Sequence, residues 1–320
     1  MADRREAGDM LSTVGFLFSV LREREKDRGQ VSYLYELDVA GALLGVFDGG
    51  GGDAAFPGLQ GRSGGYLAAR AACAAYMDRF GGGAAPGPDV PDMKALLQRY
   101  LRICKERGAG EDTDPRSLSC SAAVALCRSA RAGVDVQLQW VGNARAYLLD
   151  EEGLKQLTWD DRGDMDAMEA LLSGAAPTRR IRPDGDFPLH TARLSVNRPS
   201  LLFTATDGCL AGMAAPMELE DRILRCLVTA PSPGAFETAL AASLGAGEAE
   251  LALSGACLGF ESFEGLKHRL AGRARQLRRE YIEGLEACDP EEIQLLWTRY
   301  RQGYERLICR PEENEEASAT

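Results

Sequence analysis

The sequence predicts an α+β fold in which paired helices cover antiparallel sheets. Short apolar, β-prone runs alternate with pairs of segments whose apolar residues recur at helical spacing, and turn residues end most of the runs. Runs of strands that are interrupted by paired helices are typical of this class. With 320 residues, of which 45% are hydrophobic and 27% charged, the chain is long enough to bury a large core.

The first predicted elements are two strands and a helical hairpin. Residues 10–21 are apolar but too few to span a bilayer, so they predict a buried strand rather than an anchor. Residues 41–47 predict a second strand, which Asp48 and the following glycines end. Apolar residues at helical spacing in 66–80 and 92–106 predict two helices, because a Gly/Pro-rich segment separates them.

The middle of the chain is predicted to be antiparallel. Three consecutive strands are expected at 122–127, 134–141 and 146–149, since each run is short, β-prone and ended by turn residues. A turn then leads into a return strand at 154–157. Residues 162–193 contain many Asp, Gly and Pro residues and are predicted to be irregular.

The rest of the main domain is predicted to close the fold. A buried strand is expected at 200–206, followed by an Asp-Gly pair, two helices at 216–228 and 231–243, and a last core strand at 251–260. We therefore predict one domain over residues 1–262.

A helical extension is predicted beyond this domain. Residues 263–288 and 290–309 are Arg-rich and helix-compatible, which gives an extension over 263–310, and the acidic residues 311–320 predict a disordered tail. Apolar residues form a stripe along both helices, and such a stripe needs a partner. Either it packs back onto the main domain, or the C-terminal helices dock a partner protein.

Composition disfavours several functional classes. The net charge of −11 repels a phosphate backbone, so nucleic-acid binding is not expected. Nine cysteines never form a CxxC pair, which disfavours a zinc ribbon or a secreted disulfide framework. No signal peptide is recognised, and we expect a cytoplasmic protein without a membrane segment. His190 is predicted in a loop and His268 in a helix, both at the surface, and neither has the sequence context of a Ser-His or Cys-His mechanism.

Two apolar strands end in an Asp-Gly pair, at Asp48-Gly49 and Asp207-Gly208. Carboxylates from distant positions that meet at strand ends form the oxygen sites that Mg²⁺ and Mn²⁺ prefer. A single Asp-Gly after a strand is more often only a turn. The pair therefore gains meaning from the sequence around it.

Three segments around these pairs resemble the metal-dependent PP2C (PPM) protein serine/threonine phosphatases, bacterial type. They are GVFDGGGG at 45–52, VGNARAYLL at 141–149 with GLKQLT at 153–158, and LLFTATDG at 201–208. The resemblance covers roughly residues 14–262. It implies an α-β-β-α sandwich of two antiparallel sheets flanked by helix pairs, and it implies phosphoserine and phosphothreonine hydrolysis by water that two Mn²⁺ or Mg²⁺ ions activate.

The resemblance also implies site residues. Asp48 would bridge both metals, the Gly49 carbonyl would bind one of them, and Asp207 would bind the other. Arg22 and Arg24 lie where the family binds phosphate, and Asp27 lies where it has an acid. A charged exit from the first strand explains these three equally well.

Several family positions are altered, which opens a second interpretation. Glu248 precedes the last strand where the family has a metal-binding Asp, and its longer side chain would have to substitute. Asn143, Ala211, Asp161 and Gly50 replace two further acids and two histidines. The predicted function is thus a PPM-type phosphatase with a degenerate metal site, acting on a phosphoprotein substrate. The alternative is a pseudophosphatase that acts as a protein-binding module.

Overall fold

The computed structural model describes residues 14–38, 41–50, 55–56, 61–80, 90–108, 117–131, 133–245, 249–260, 262–285 and 288–309. The strands are β1 (Val14–Arg22), β2 (Val31–Asp38), β3 (Gly41–Gly50), β4 (Ala55–Phe56), β5 (Arg62–Ser63), β6 (Ser119–Ala130), β7 (Gly133–Val141), β8 (Arg145–Asp150), β9 (Gly153–Gln156), β10 (His190–Val196), β11 (Ser200–Ala205) and β12 (Leu251–Leu258). The helices are α1 (Gly64–Phe80), α2 (Val90–Gly108), α3 (Ala167–Ser173), α4 (Met217–Thr229), α5 (Pro233–Ser243), α6 (Phe263–Leu277) and α7 (Pro290–Tyr304).

Ten of these strands form two antiparallel five-stranded sheets. The first sheet has the order β1-β12-β11-β8-β9, and the second has the order β10-β7-β6-β3-β2. Strands β4 and β5 form a separate two-stranded ladder. Apolar residues from the facing sides of both large sheets share one buried cluster, which includes Leu44, Trp140 and Leu202. The two sheets therefore pack face to face.

Helices cover the two outer faces. Helices α1 and α2 pack on the second sheet through a cluster that includes Phe47, Tyr76 and Leu97. Helices α4 to α7 share a cluster with the first sheet, which includes Phe203 and Leu227. The result is the predicted α-β-β-α sandwich, because each sheet buries one face against its partner sheet and the other against helices.

The predicted strands and helices are confirmed, but four strands and one helix were not predicted, namely β2, β4, β5, β10 and α3. Residues 162–193 were predicted to be irregular, but they contain α3 and the first residues of β10. Helix α3 has seven residues, too few for a periodic pattern, and a capping box between Asp166 and Glu169 sets its start. Strand β10 is polar and lies at the sheet edge, where pairing with β7 rather than an apolar pattern defines it.

The prediction for His190 was also wrong. It is the first residue of β10, and its side chain is only 9% exposed because the ring lies beside Trp140 and Asp161. His268 is exposed on α6, as predicted. The nine cysteines are free thiols.

The C-terminal helices pack against the first sheet and α4. Helix α6 begins at its N-cap Ser262 and continues through a π-helical turn at Arg278–Ile282 and a last turn at Glu283–Leu285. Trp297, Tyr300 and Tyr304 of α7 are buried in the same apolar cluster as the first sheet. The apolar stripe thus faces the main domain, which is the first of the two alternatives. The predicted tail lies outside the described residues.

A buried ion cluster joins the extension to α4. Glu220 of α4 is fully buried and accepts hydrogen bonds from Arg273 Nε at 2.6 Å, Arg273 Nη2 at 3.0 Å and Tyr300 Oη at 2.6 Å. We refer to Glu220, Arg273 and Tyr300 as the C-terminal clasp. Among the described residues, no helix is both long enough and apolar enough to cross a membrane.

Candidate functional site

Asp48 lies near the end of β3, where it is partly exposed between β2 and β6. Its backbone neighbours in the sheet are Val31 and Ser121. The next residue must be glycine, since a Cβ on Gly49 would lie 2.1 Å from the carbonyl oxygen of Gly65 in α1. Close packing of β3 on the start of α1 therefore fixes where the Asp48 carboxylate stands.

Asp207 follows β11 and begins a short 3₁₀ turn. A Cβ on Gly208 would lie 1.9 Å from the carbonyl oxygen of Glu250, so the chain that enters β12 passes directly against this turn. This close approach brings Glu250 to the same end of the sandwich as Asp207.

The two predicted aspartates are brought together. The pKa of Asp48 is raised to about 8, first by burial and then by the negative charges of Asp207 and Glu250, while Arg180 and Arg162 partly offset the rise. Carboxylates that crowd together in this way need positive charge nearby, either from a bound cation or from side chains. The side-chain carboxylate of Asp48 accepts no hydrogen bond from the residues that the structure describes.

Asp207 is held by two side chains that the sequence did not suggest. Its Oδ2 accepts hydrogen bonds from Asn143 Nδ2 at 2.5 Å and from Arg162 Nη2 at 3.1 Å. The Oδ1 of Asn143 accepts from Ser121 Oγ at 2.9 Å, which orients the amide. The sequence indicated only a lost acid at position 143, but an amide there can donate to Asp207, which an ionised carboxylate cannot.

Besides Nη2 of Arg22, two further arginines have a buried guanidinium atom without an acceptor among the described residues. Among the described residues, Nε of Arg162 and Nη1 of Arg180 are buried and make no hydrogen bond. Arg180 lies against Gly50, since a Cβ on that glycine would be 1.6 Å from Nη1. A histidine at position 50 would therefore collide with Arg180. Sequence reasoning missed both arginines because they lie in the segment that it treated as irregular.

An open cleft of about 550 Å³ reaches Asp48 and Gly49. Arg24, Arg28 and Arg62 line it, together with Glu250. The Arg62 guanidinium stacks 4.8 Å from the centre of the Tyr66 ring, which limits its motion. Three arginines around a carboxylate form a surface that suits a phosphoryl group.

The other predicted site residues lie apart from this cleft lining. Nε of Arg22 donates to the Ala249 carbonyl at 3.1 Å, so this arginine supports the chain before β12. Asp27 is exposed in a turn with φ of 63°, and its backbone N–H donates to Glu23. Glu248 lies outside the described residues.

Glu250, two residues after Glu248, lies at this end of the sandwich and contacts the β1–β2 loop. Its two oxygens accept from the backbone N–H groups of Arg24 at 3.2 Å and Gln30 at 2.7 Å. The available signal was its position directly before β12, the same strand-edge logic that selected Asp48 and Asp207. Glu250 thereby links the β1–β2 loop to the site.

Asp161 has a supporting role. Its Oδ2 accepts from the Gly142 N–H at 2.8 Å, and its Oδ1 lies 3.0 Å from His190 Nε2. Asp160 beside it is buried and forms a two-point ion pair with Arg145 at 2.8 and 2.7 Å. These contacts fix the turn that carries Asn143.

The oxygen atoms of Asp48, Gly49 and Asp207 are of the kind that a divalent cation prefers. The carboxylates of Asp48 and Asp207 and the carbonyl of Gly49 are hard oxygen donors, and the Asp207 side chain is 40% exposed. No group of three or more His, Cys, Asp or Glu side chains arranged to hold a metal occurs in the described part of the chain.

Comparison with solved structures identifies the fold. The PPM Ser-Thr phosphatase MsPP of Mycobacterium smegmatis, in complex with cacodylate, matches with a TM-score of 0.54 and 16% identity over 77% of this chain and 99% of that one. The serine/threonine phosphatase PstP/Ppp of Mycobacterium tuberculosis gives 0.53 and 18% over 77% and 99%. A point variant of a bacterial serine phosphatase gives 0.53 and 13% over 77% and 99%. No family model and no curated protein matches. The chain has a PP2C-like fold.

Proposed function

We propose that this chain is a PP2C/PPM-type protein serine/threonine phosphatase. The observation that carries the proposal is that Asp48 and Asp207, from opposite sheets, come close enough for their charges to interact, and that Asp48 lines a cleft together with Arg24, Arg28 and Arg62. Two carboxylates for a cation near arginines for a phosphoryl group are the elements that metal-assisted phosphate hydrolysis needs.

Asp48, Gly49 and Asp207 are the residues that would hold Mn²⁺ or Mg²⁺. A bound ion of this kind lowers the pKa of water, and so supplies a nucleophile at neutral pH. The resemblance implies two ions, and a second one would depend on ligands beyond the described residues, with Glu248 as the candidate. Asn143 and Arg162 hold Asp207 in place through its Oδ2.

The arginines would bind and orient the substrate. Arg24 and Arg28 belong to the β1–β2 loop and Arg62 belongs to β5, so two separate segments of the chain supply the arginines of the cleft. Their charges would bind the phosphoryl group of a phosphoserine or phosphothreonine. Because the cleft is open, such a side chain could enter it while still part of a folded substrate protein. We place this activity in the cytoplasm, on a phosphoprotein substrate, within a domain over residues 1–262.

A specific observation supports a second candidate function. Arg162 already gives Asp207 a positive partner at 3.1 Å, and no three-acid cluster occurs among the described residues. A pseudophosphatase that binds phosphorylated proteins without hydrolysing them would need the arginines of the cleft but not the metal. Its partners would be the same class of protein.

Mn²⁺ titration by calorimetry separates the two candidates when p-nitrophenyl phosphate hydrolysis is measured in parallel. We expect micromolar-class binding, on the order of 8 kcal/mol, and turnover that both Asp48→Asn and Asp207→Asn abolish. Asp164→Asn is the matched control, since Asp164 is exposed on the segment between the site and α3.

Binding of Mn²⁺ without turnover that depends on Asp48 and Asp207 would contradict the phosphatase. The second candidate then predicts that a phosphoserine peptide binds the metal-free chain, and that Arg24→Gln and Arg62→Gln each weaken that binding. A chain that neither hydrolyses nor binds phosphorylated peptide would contradict both candidates.

A further inference from the structure

We propose that Arg162 is a built-in cation that competes with the divalent metal for Asp207 and thereby weakens metal binding at the site. The inference rests on the proposed function, because it assumes that Asp48 and Asp207 bind a metal. The inference identifies Arg162 as a residue that raises the metal concentration at which the site becomes occupied.

Arg162 is anchored on one side and presented to Asp207 on the other. Its Nη1 donates to the Ala170 carbonyl in α3 at 2.8 Å, and its Nη2 lies 3.1 Å from Asp207 Oδ2. The Arg162 side chain is 4% exposed, whereas that of Asp207 is 40% exposed. The guanidinium therefore stays beneath the carboxylate while the carboxylate remains open to an ion from solvent.

Asp207 is the acid to which the Arg162 guanidinium donates a hydrogen bond within the described residues. The other nearby acid, Asp160, is occupied by the two-point ion pair with Arg145 and lies 3.9 Å from Arg162 Nε. That Nε makes no hydrogen bond within the described residues. Because a buried charge without a partner is costly, the metal-free site gains from keeping Arg162 and Asp207 together.

A divalent ion on Asp207 disturbs this arrangement in either of two ways. If Asp207 keeps Arg162 on Oδ2 and binds the ion through Oδ1, two positive groups share one carboxylate and repel each other. If the Arg162 contact breaks, a buried guanidinium loses the acid to which it is hydrogen-bonded. Both outcomes lower the affinity for the metal, so Arg162 acts as a threshold against binding at low metal concentration.

The test is Mn²⁺ calorimetry on the full chain with charge-removing and charge-keeping variants. Arg162→Gln and Arg162→Met remove the charge, and we expect each to tighten the dissociation constant at least about tenfold, since close charge pairs couple at this level or above. Arg162→Lys keeps the charge, and its affinity should stay within about threefold of wild type. Arg179→Gln is the control, because Arg179 is exposed.

Thermal unfolding without metal accompanies the titrations and shows which variants are folded. Two uncharged variants are used so that one that fails to fold does not remove the test. Unchanged or weaker binding in the uncharged variants would overturn the inference while the proposed function stands, provided that wild type binds Mn²⁺. Equal tightening in Arg162→Lys would also overturn it, because the charge would then not matter. Absence of Mn²⁺ binding in every chain would overturn both the inference and the proposed function.

Discussion

The C-terminal clasp and the Asp48 site both hold carboxylates beside arginines, but the carboxylates differ in how far their hydrogen bonds are satisfied. Glu220 is fully buried and receives three hydrogen bonds from Arg273 and Tyr300, which satisfy both of its oxygens. The Asp48 carboxylate receives no hydrogen bond from the described residues. Near it, the guanidinium atoms Nε of Arg162 and Nη1 of Arg180 are buried without an acceptor among those residues.

The difference separates a structural cluster from a candidate functional one. A satisfied ion cluster holds two parts of the chain in one geometry, and removing one member leaves an unpaired charge. A crowded cluster with unsatisfied groups has interaction capacity left for a ligand. The clasp thus fastens the extension to α4, whereas the Asp48 site is the place where this chain can bind an ion or a phosphoryl group.

The largest expected effect comes from breaking the clasp. Arg273→Leu leaves Glu220 with Tyr300 alone, and we expect a loss of about 3–5 kcal/mol in the free energy of unfolding. Urea denaturation measures it. Arg275→Leu on the same helix is exposed and should change stability by less than about 0.5 kcal/mol. Equal losses in both variants would show that the clasp charge has no special role.

A smaller effect is expected where the backbone of the site is packed most closely. Gly208→Ala places a Cβ about where the Glu250 carbonyl oxygen stands, at 1.9 Å. We expect a loss of about 1–3 kcal/mol from the forced shift, together with weaker Mn²⁺ binding because Asp207 moves. Gly234→Ala in α5 is the control, since a Cβ there meets nothing within 4 Å. A Gly208→Ala chain with wild-type stability and affinity would contradict the close approach.

Neutralising Asp48 should raise the free energy of unfolding, whereas breaking the clasp should lower it. Asp48→Asn removes a carboxylate that Asp207 and Glu250 repel. We therefore expect the metal-free chain to gain about 0.5–2 kcal/mol, as is common when a functional site is neutralised. Urea denaturation in chelator measures this gain, and Asp164→Asn should leave stability unchanged. A destabilised Asp48→Asn chain would mean that this carboxylate is structural, like Glu220.

The smallest effect is expected at the exposed end of the extension. Glu152 contacts Arg306, near the C-terminal end, and Arg198, and both hydrogen bonds lower the pKa of Glu152 from 4.5 to about 2. A depressed pKa in the folded chain means that the stabilisation is present above pH 4.5 and is lost as the pH falls towards 2. The side chain is more than a third exposed, so solvent screens the pair and the gain should stay below about 1 kcal/mol.

Titration of Glu152 by NMR checks the pKa, and urea denaturation of Glu152→Gln checks the stability. The difference between the variant and wild type should vanish below pH 2 and shrink in 1 M salt. A difference that is independent of pH would show that packing, not charge, accounts for it.

Most of the fold was predictable because its signals are local. The strands at β3, β6 and β11 are apolar runs stopped by turn residues, and α1 and α2 show helical spacing, so neighbouring residues suffice to define them. Strand β2 was not predicted. Helix α3 and strand β10 were missed because a capping box and a pairing partner, rather than an apolar pattern, determine them.

The candidate site was predictable only in part. Asp48 and Asp207 carry a local mark, the Asp-Gly pair at the end of a strand, and the structure brings them together. Arg162 and Arg180 carry no such mark, because an arginine in a polar segment looks like any solvated side chain. The sequence also left the ligand position before β12 between Gly247 and Glu248, since spacing near a strand end leaves an uncertainty of a residue or two, and both lie outside the described residues.

The sequence by itself determined most of the secondary structure, its α+β order and the choice of Asp48 and Asp207 as candidate ligands, because local sterics and apolar periodicity act over a few residues. Only the tertiary structure decided which charges meet. The pairing of Arg162 with Asp207 joins residues 45 positions apart, and the clasp joins Glu220 to Arg273 across 53. Such contacts depend on how the sheets and helices pack, and electrostatic energies change over distances of a few ångströms that no local pattern specifies.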